Sequence, residues 1–79
     1  MKINLKYFGL VSEIAKTNEE FLDIGKQASS EDLSRLLEEK YNNLYEVDYR
    51  MAINKTLINK SVELAENDTV AILPPFSGG

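Results

Sequence analysis

Thr69-Val70-Ala71-Ile72-Leu73-Pro74-Pro75-Phe76-Ser77-Gly78-Gly79 joins two unlike pieces of chain. Val70 and Ile72 alternate with Ala71 and Leu73, the period of a strand with one face in a core. Pro74 has no N–H to donate and restricts Leu73 before it, so the strand ends there. The second proline keeps the backbone extended and directs the last four residues away from the body. Phe76 then stands beyond the last element, where a large ring has no core to enter. Residues 69–79 carry no charge, although Asp, Glu, Lys and Arg make up 28% of the sequence. An ordinary buried strand accounts for 69–73 but not for 74–79. At average glycine usage, two terminal glycines arise by chance in roughly 1 in 200 chains. Here they are two of only four.

Such an end makes chemical sense if the carboxylate of Gly79 is itself the reacting group. Without Cβ atoms, Gly78 and Gly79 can thread a narrow channel in another protein. The stiff diproline lowers the entropy lost on insertion. A carboxylate is inert as an acyl donor until it becomes a mixed anhydride, so a nucleotide-dependent activating partner is implied. The chain has no phosphate loop of the Walker type to perform that step.

Upstream of this strand, Glu66-Asn67-Asp68 reads as a tight turn with Asn67 left-handed. Before it, Met51 and Ile53 open a strand, Asn54-Lys55 forms a hairpin turn, and Leu57 and Ile58 begin the return. The strongest helix lies in the middle, with Ser29 as N-cap and Asp32 completing a weak capping box. Leu33, Leu36, Leu37 and Tyr41 form its apolar face, Glu31 and Arg35 pair outside, and Asn42-Asn43 stops it. Tyr41, Tyr45 and Tyr49 either extend that stripe or lay their rings on the core from a loop. At the N-terminal end, Ile3, Leu5 and Tyr7 alternate as a strand. Gly9 breaks it, and Leu10, Val11, Ile14 and Ala15 follow as a short helix. Thr17-Asn18 turns into a strand at Leu22 and Ile24 that ends at Gly25. The order β, α, β, α, β, β, β predicts an α+β domain: a mixed sheet of about five strands with its helices packed on one face.

Seventy-nine residues hold one core, expected over 1–73, with 74–79 as a flexible tail. Thirteen acidic against nine basic residues give a net charge of -4, which argues against nucleic acid or anionic lipid as partner. No uncharged stretch approaches the ~20 residues of a membrane helix. The N-terminus has no apolar run like that of a signal peptide. A cytoplasmic protein is expected. Absence of cysteine and histidine excludes disulfides, zinc–thiolate sites, Cys–His pairs and imidazole bases. No metal site is expected. Glu38 and Glu39 are adjacent, point in different directions on a helix and read as a solvated face.

Three segments together resemble the MoaD/ThiS family of ubiquitin-like sulfur carriers, and within it the small subunits of molybdopterin synthase. They are Tyr7-Phe8-Gly9 with Ser12-Glu13-Ile14-Ala15, Ala52-Ile53-Asn54-Lys55-Thr56-Leu57, and Glu66 through Gly79 with its PP-x-x-GG end. The resemblance covers nearly the whole chain. Asn67 departs from the glycine often found in that turn, but tolerates the same backbone. The resemblance implies a β-grasp fold and a chemistry. An E1-like adenylating enzyme of the MoeB type activates Gly79 with ATP, and a sulfur donor protein converts it to a thiocarboxylate. Pro75, Phe76, Ser77, Gly78 and Gly79 then enter the MoaE-like large subunit, where sulfur passes to cyclic pyranopterin monophosphate. The chain itself binds no cofactor and is a donor subunit rather than an enzyme.

By the same resemblance, Phe8, Leu57 and Leu73 form an apolar docking surface, in a heterotetramer with the large subunit. Phe8 breaks the alternation of Ile3, Leu5 and Tyr7, and Leu73 opposes Val70 and Ile72, so both fall on the open sheet face. The pattern leaves Leu57 undecided between docking and core. Lys40, Lys55 and Lys60 either help dock partners or, on the plainer reading, are solvated surface. The rival readings are a ThiS-type carrier for thiazole synthesis and a ubiquitin-like modifier joined to target lysines. ThiS-type chains are usually shorter and lack the diproline.

Overall fold

The computed structural model describes residues 1–75. Five strands and two helices run in the order β1 (Lys2–Tyr7), α1 (Gly9–Ala15), β2 (Glu19–Asp23), α2 (Ser30–Lys40), β3 (Arg50–Ile53), β4 (Thr56–Leu57) and β5 (Thr69–Leu73). The strands lie side by side as β2-β1-β5-β3-β4. β1 and β5 are parallel, and every other pairing is antiparallel. This is the mixed sheet and the β-grasp order that the sequence led us to expect.

Alternation assigns one face of each strand to the core. Ile3, Leu5 and Tyr7 of β1, Val70 and Ile72 of β5 and Met51 of β3 are buried together. Val11 of α1 and Leu33 and Leu37 of α2 close over them. α2 is fixed at its start by a complete capping box: the Ser29 hydroxyl accepts from the Asp32 N–H, and the Asp32 carboxylate accepts from the Ser29 N–H. Both turns expected to be left-handed are so. Asn54 and Lys55 have φ of 50° and 73°, as a two-residue hairpin requires, and Asn67 has φ of 68°.

Four details differ from the sequence reading. α2 ends at Lys40, so Tyr41 is not part of its stripe; it stands beyond the helix with extended backbone. Residues Asn42–Glu46 form a 3₁₀ turn in which Leu44 is buried and Tyr45, 68% exposed, leaves the core. Leu10 points largely outward from α1, whose buried residue is Val11. β4 is two residues long, and Ile58 lies past its end, its N–H donating to the Met51 carbonyl at 3.0 Å. The segment between β4 and β5 carries no periodicity. It is tied to α2 by a bridge between Ser29 and Glu63, which delivers Leu64 to the core.

Candidate functional site

The face of the sheet turned away from the helices is set by the same alternation. Ala71 of β5 lies opposite Lys6 of β1 and Ala52 of β3, and Ala52 lies opposite Leu57 of β4. Lys6, Ala71, Ala52 and Leu57 therefore form one row across four strands. This places Leu57 on the outer face, 48% exposed. In the next row Leu73 lies opposite Arg50. The Phe8 N–H donates to the Ile72 carbonyl at 3.2 Å, which continues the β1–β5 pairing and sets Phe8 beside Leu73. Phe8 is 46% exposed.

Phe8, Leu57 and Leu73 thus share one face, and two alanines fill the ground between them. Ala71 and Ala52 are small, so the strip is flat and open to a partner surface. The sequence reading missed both, because each is unremarkable in its own strand and their juxtaposition exists only once β5 inserts between β1 and β3. The β1–β2 half of the face differs: Lys6 faces Glu19 and Lys2 faces Asp23 across the strands. Phe21, opposite Asn4, is exposed at that far edge.

The tail leaves from this same place. β5 is the central strand, paired on both sides until Leu73. Pro74 then lies against Gly9 at the start of α1. Gly9 has φ of +54°, and a Cβ there would sit 3.0 Å from the Pro74 Cγ. A bare Cα lets the diproline pass close to α1 at the end of β1. Pro75 is exposed. The remaining expected tail residues, Phe76, Ser77, Gly78 and Gly79, lie outside the described residues.

On the helix side of the sheet sits a polar cluster that sequence reasoning also missed. Glu20 of β2 accepts from the Tyr7 hydroxyl, from the Tyr41 hydroxyl at 2.6 Å and from the Lys40 ammonium at 2.9 Å. The Tyr7 and Tyr41 rings meet edge to face, 6.0 Å between centroids. Desolvation raises the Glu20 pKa, but the hydrogen bonds from Tyr41, Tyr7 and Lys40 together outweigh it and hold the carboxyl below its ordinary value. Burial, then the bond to Glu20, pushes the Tyr7 hydroxyl far up. Every member of the cluster is engaged, so it braces β2 and α2 against β1. The only signal was Glu20 taking the inward phase of β2 beside Leu22, which looks like a break in the pattern.

Among the described residues, no group of three or more His, Cys, Asp or Glu is arranged to hold a metal ion. No helix among them is long and apolar enough to cross a membrane. What the described residues offer is a flat apolar strip, two flanking cations and a rigid root for the tail.

The ThiS family profile matches residues 5–79. A molybdopterin synthase sulfur carrier subunit of Chlamydomonas reinhardtii is 32% identical, over the full length of both chains. Among solved structures, a putative molybdopterin converting factor subunit 1 of Pyrococcus furiosus superposes with a TM-score of 0.88 at 24% identity, covering 95% of this chain and 98% of that one. The small archaeal modifier protein 1 of Methanosarcina acetivorans gives 0.79 at 26%, covering 99% and 96%. A complex of subunits 1 and 2 of the molybdopterin-converting factor of Helicobacter pylori gives 0.71 at 26%, covering all of both chains.

Proposed function

Since this chain belongs to the ThiS family, we propose that it is the sulfur carrier subunit of a molybdopterin synthase. Full-length similarity to a protein of that name carries the reading. The diproline root of the tail beside a flat apolar strip supports it. In this reading the chain is the donor and not the catalyst. The carboxylate of Gly79 attacks the α-phosphate of ATP on an E1-like adenylating enzyme, releasing pyrophosphate. A sulfur donor protein then supplies sulfur at the sulfide level, which attacks the acyl carbon and displaces AMP. The resulting thiocarboxylate is a soft, ionised nucleophile at neutral pH, suited to attacking carbon. The body, residues 1–73, docks on the large subunit through Phe8, Leu57 and Leu73. Residues 74–79 enter that subunit's active site and give sulfur to cyclic pyranopterin monophosphate, in the cytoplasm and in a heterotetramer.

The test is the intact mass of the chain after incubation with an adenylating enzyme, ATP and a sulfur source. Replacement of one oxygen by sulfur is expected, absent when Gly79 is deleted and reversed by the large subunit with the pterin precursor. No mass change with partners shown to be active on another carrier would sink the reading. The likeness to a small archaeal modifier protein favours one second reading, a conjugated modifier. That reading expects Gly79 in isopeptide linkage to lysines of other proteins. A mass change reversed by a thiazole precursor system, rather than the pterin one, would assign the ThiS-type alternative.

A further inference from the structure

The outer face holds one group that a wholly apolar partner surface would strand. Arg50 lies directly opposite Leu73, beside Ala52 along β3 and diagonal to Leu57. It therefore ends the row that Phe8 and Leu73 form, at the open edge of the strip, between Leu73 and Leu57. The side chains of Leu73, Ala71, Ala52 and Leu57 accept no hydrogen bond. The four ion pairs among the described residues engage the N-terminus, Arg35 twice and Lys40, and Arg50 is in none of them. β4 pairs only with Ala52 and Ile53, so the edge of β3 at Arg50 is open and borders a hollow shared with α2. The carboxylate on that hollow, Glu31, is already held by Arg35 at 3.3 Å. In water the guanidinium needs no partner. Once covered it loses hydration and cannot lose its charge.

We infer that the surface covering this face brings a carboxylate to Arg50, and that the large subunit of the synthase is the partner that does so. The inference rests on the sulfur-carrier reading. A guanidinium presents paired N–H donors that match the two oxygens of one carboxylate, which an amide or hydroxyl surface does not replace. Lys6 plays a different part. It lies between Ala71 and Glu19, at the boundary with the charged half of the face. It stays hydrated there and acts on the rate of encounter, an effect that salt screens. The two cations thus have separable signatures, Arg50 in dissociation and Lys6 in association.

The test measures binding kinetics of the full chain with the large subunit from the same organism, at low and high salt. The variants are Arg50→Met, Arg50→Lys, Lys6→Glu and Lys26→Glu. Lys26 borders Met1 and Glu66 at the far end of β1, so its reversal changes net charge equally but away from the face. Arg50→Met keeps most of the aliphatic bulk and is expected to bind at least about tenfold more weakly, chiefly through faster dissociation, with Arg50→Lys recovering part. Lys6→Glu slows association at low salt and less so at high salt, whereas Lys26→Glu does neither. Arg50 is exposed, so melting curves of its variants should match the parent. Binding of Arg50→Met as tight as the parent would show that apolar cover suffices. That result overturns the inference and leaves the carrier reading standing. Failure of the parent chain to bind removes both, and the mass experiment identifies that case independently.

Discussion

Replacing Glu20 by alanine removes the acceptor on which three side chains converge, and the structure allows its cost to be worked out group by group. The Lys40 ammonium is 42% exposed, so its ion pair contributes only ~0–1 kcal/mol. Tyr41 is half-buried and its hydroxyl can turn to water. Tyr7 is buried, and losing its acceptor strands a hydroxyl in the core at ~1–3 kcal/mol. The sum is about 1–4 kcal/mol, against a total stability of ~4–12 kcal/mol for a domain of this size. At roughly 4–8 °C per kcal/mol, Glu20→Ala should lower Tm by about 4–30 °C. Calorimetric or circular-dichroism melts of Glu20→Ala, Tyr7→Phe and the double variant form the assay. With Tyr7→Phe already present no hydroxyl is left stranded, so Glu20→Ala should then cost less by ~1 kcal/mol or more. An equal cost in both backgrounds, or one below ~0.5 kcal/mol in the parent, would refute the argument that Glu20 braces the core through Tyr7.

Leu57→Glu places a charge on the outer face without touching the core. It should leave stability within ~0.5 kcal/mol of the parent and weaken binding to the large subunit at least tenfold, measured by calorimetry. Gly9→Ala forces a side chain into positive φ, at ~1–2 kcal/mol, and presses its Cβ on Pro74. A Tm lower by about 5–10 °C is expected, and smaller when Pro74→Ala is also present. Stability should fall on both sides of neutrality. Glu20, Asp23 and Asp32 have folded-state pKa values below their ordinary ones, so their contribution is full above the ordinary carboxylate range and is lost as pH falls through the depressed values. Burial, then the bond to Glu38, pushes Tyr49 up to about 12, and burial pushes Tyr7 higher. Their contribution is present below the ordinary tyrosine value of 10.0 and lost as pH rises beyond it. Melts across the pH range check both limbs.

Features that depend on neighbours along the chain were legible from sequence. Alternation at Ile3, Leu5 and Tyr7 and at Val70 and Ile72 names the buried phase of the two central strands, because period two needs no knowledge of the partner. Ser29 and Asp32 sit three apart and cap one another, and Asn54 and Asn67 turn where positive φ is required. What was hidden depends on pairing across the fold. Ala71 aligns with Ala52 and Leu57 only because β5 pairs with β3, from which residues 54–68 separate it in the chain. Tyr41 looked like helix and Tyr45 like a packed ring. The buried residue of that segment is Leu44, because a 3₁₀ turn of three residues per turn resets the phase inherited from α2. Glu20 drew no reading from the sequence, because its role exists only where Tyr7, Tyr41 and Lys40 meet it.

The position of β5 links these observations to what the proposed function asks of the tail. A segment that enters another protein's active site must be supple at its tip and fixed at its root, since play at the root misplaces the reacting atom. An edge strand would be a poor root, because half of its backbone groups are unpaired and it opens locally at low cost. β5 is instead hydrogen-bonded to β1 on one side and β3 on the other, and it carries Val70 and Ile72 into the core. Leu73 and Ala71 of that same strand belong to the proposed docking strip, whose other members hang on β1, β3 and β4 in fixed register with it. Root and footprint are therefore one rigid piece. In the proposed function, docking the strip would fix the starting point of the tail without a separate hinge to order, which lowers the entropy of insertion. The parallel placement of the C-terminal strand beside the first, which no local pattern in the sequence announces, gives the carrier reading its mechanical basis.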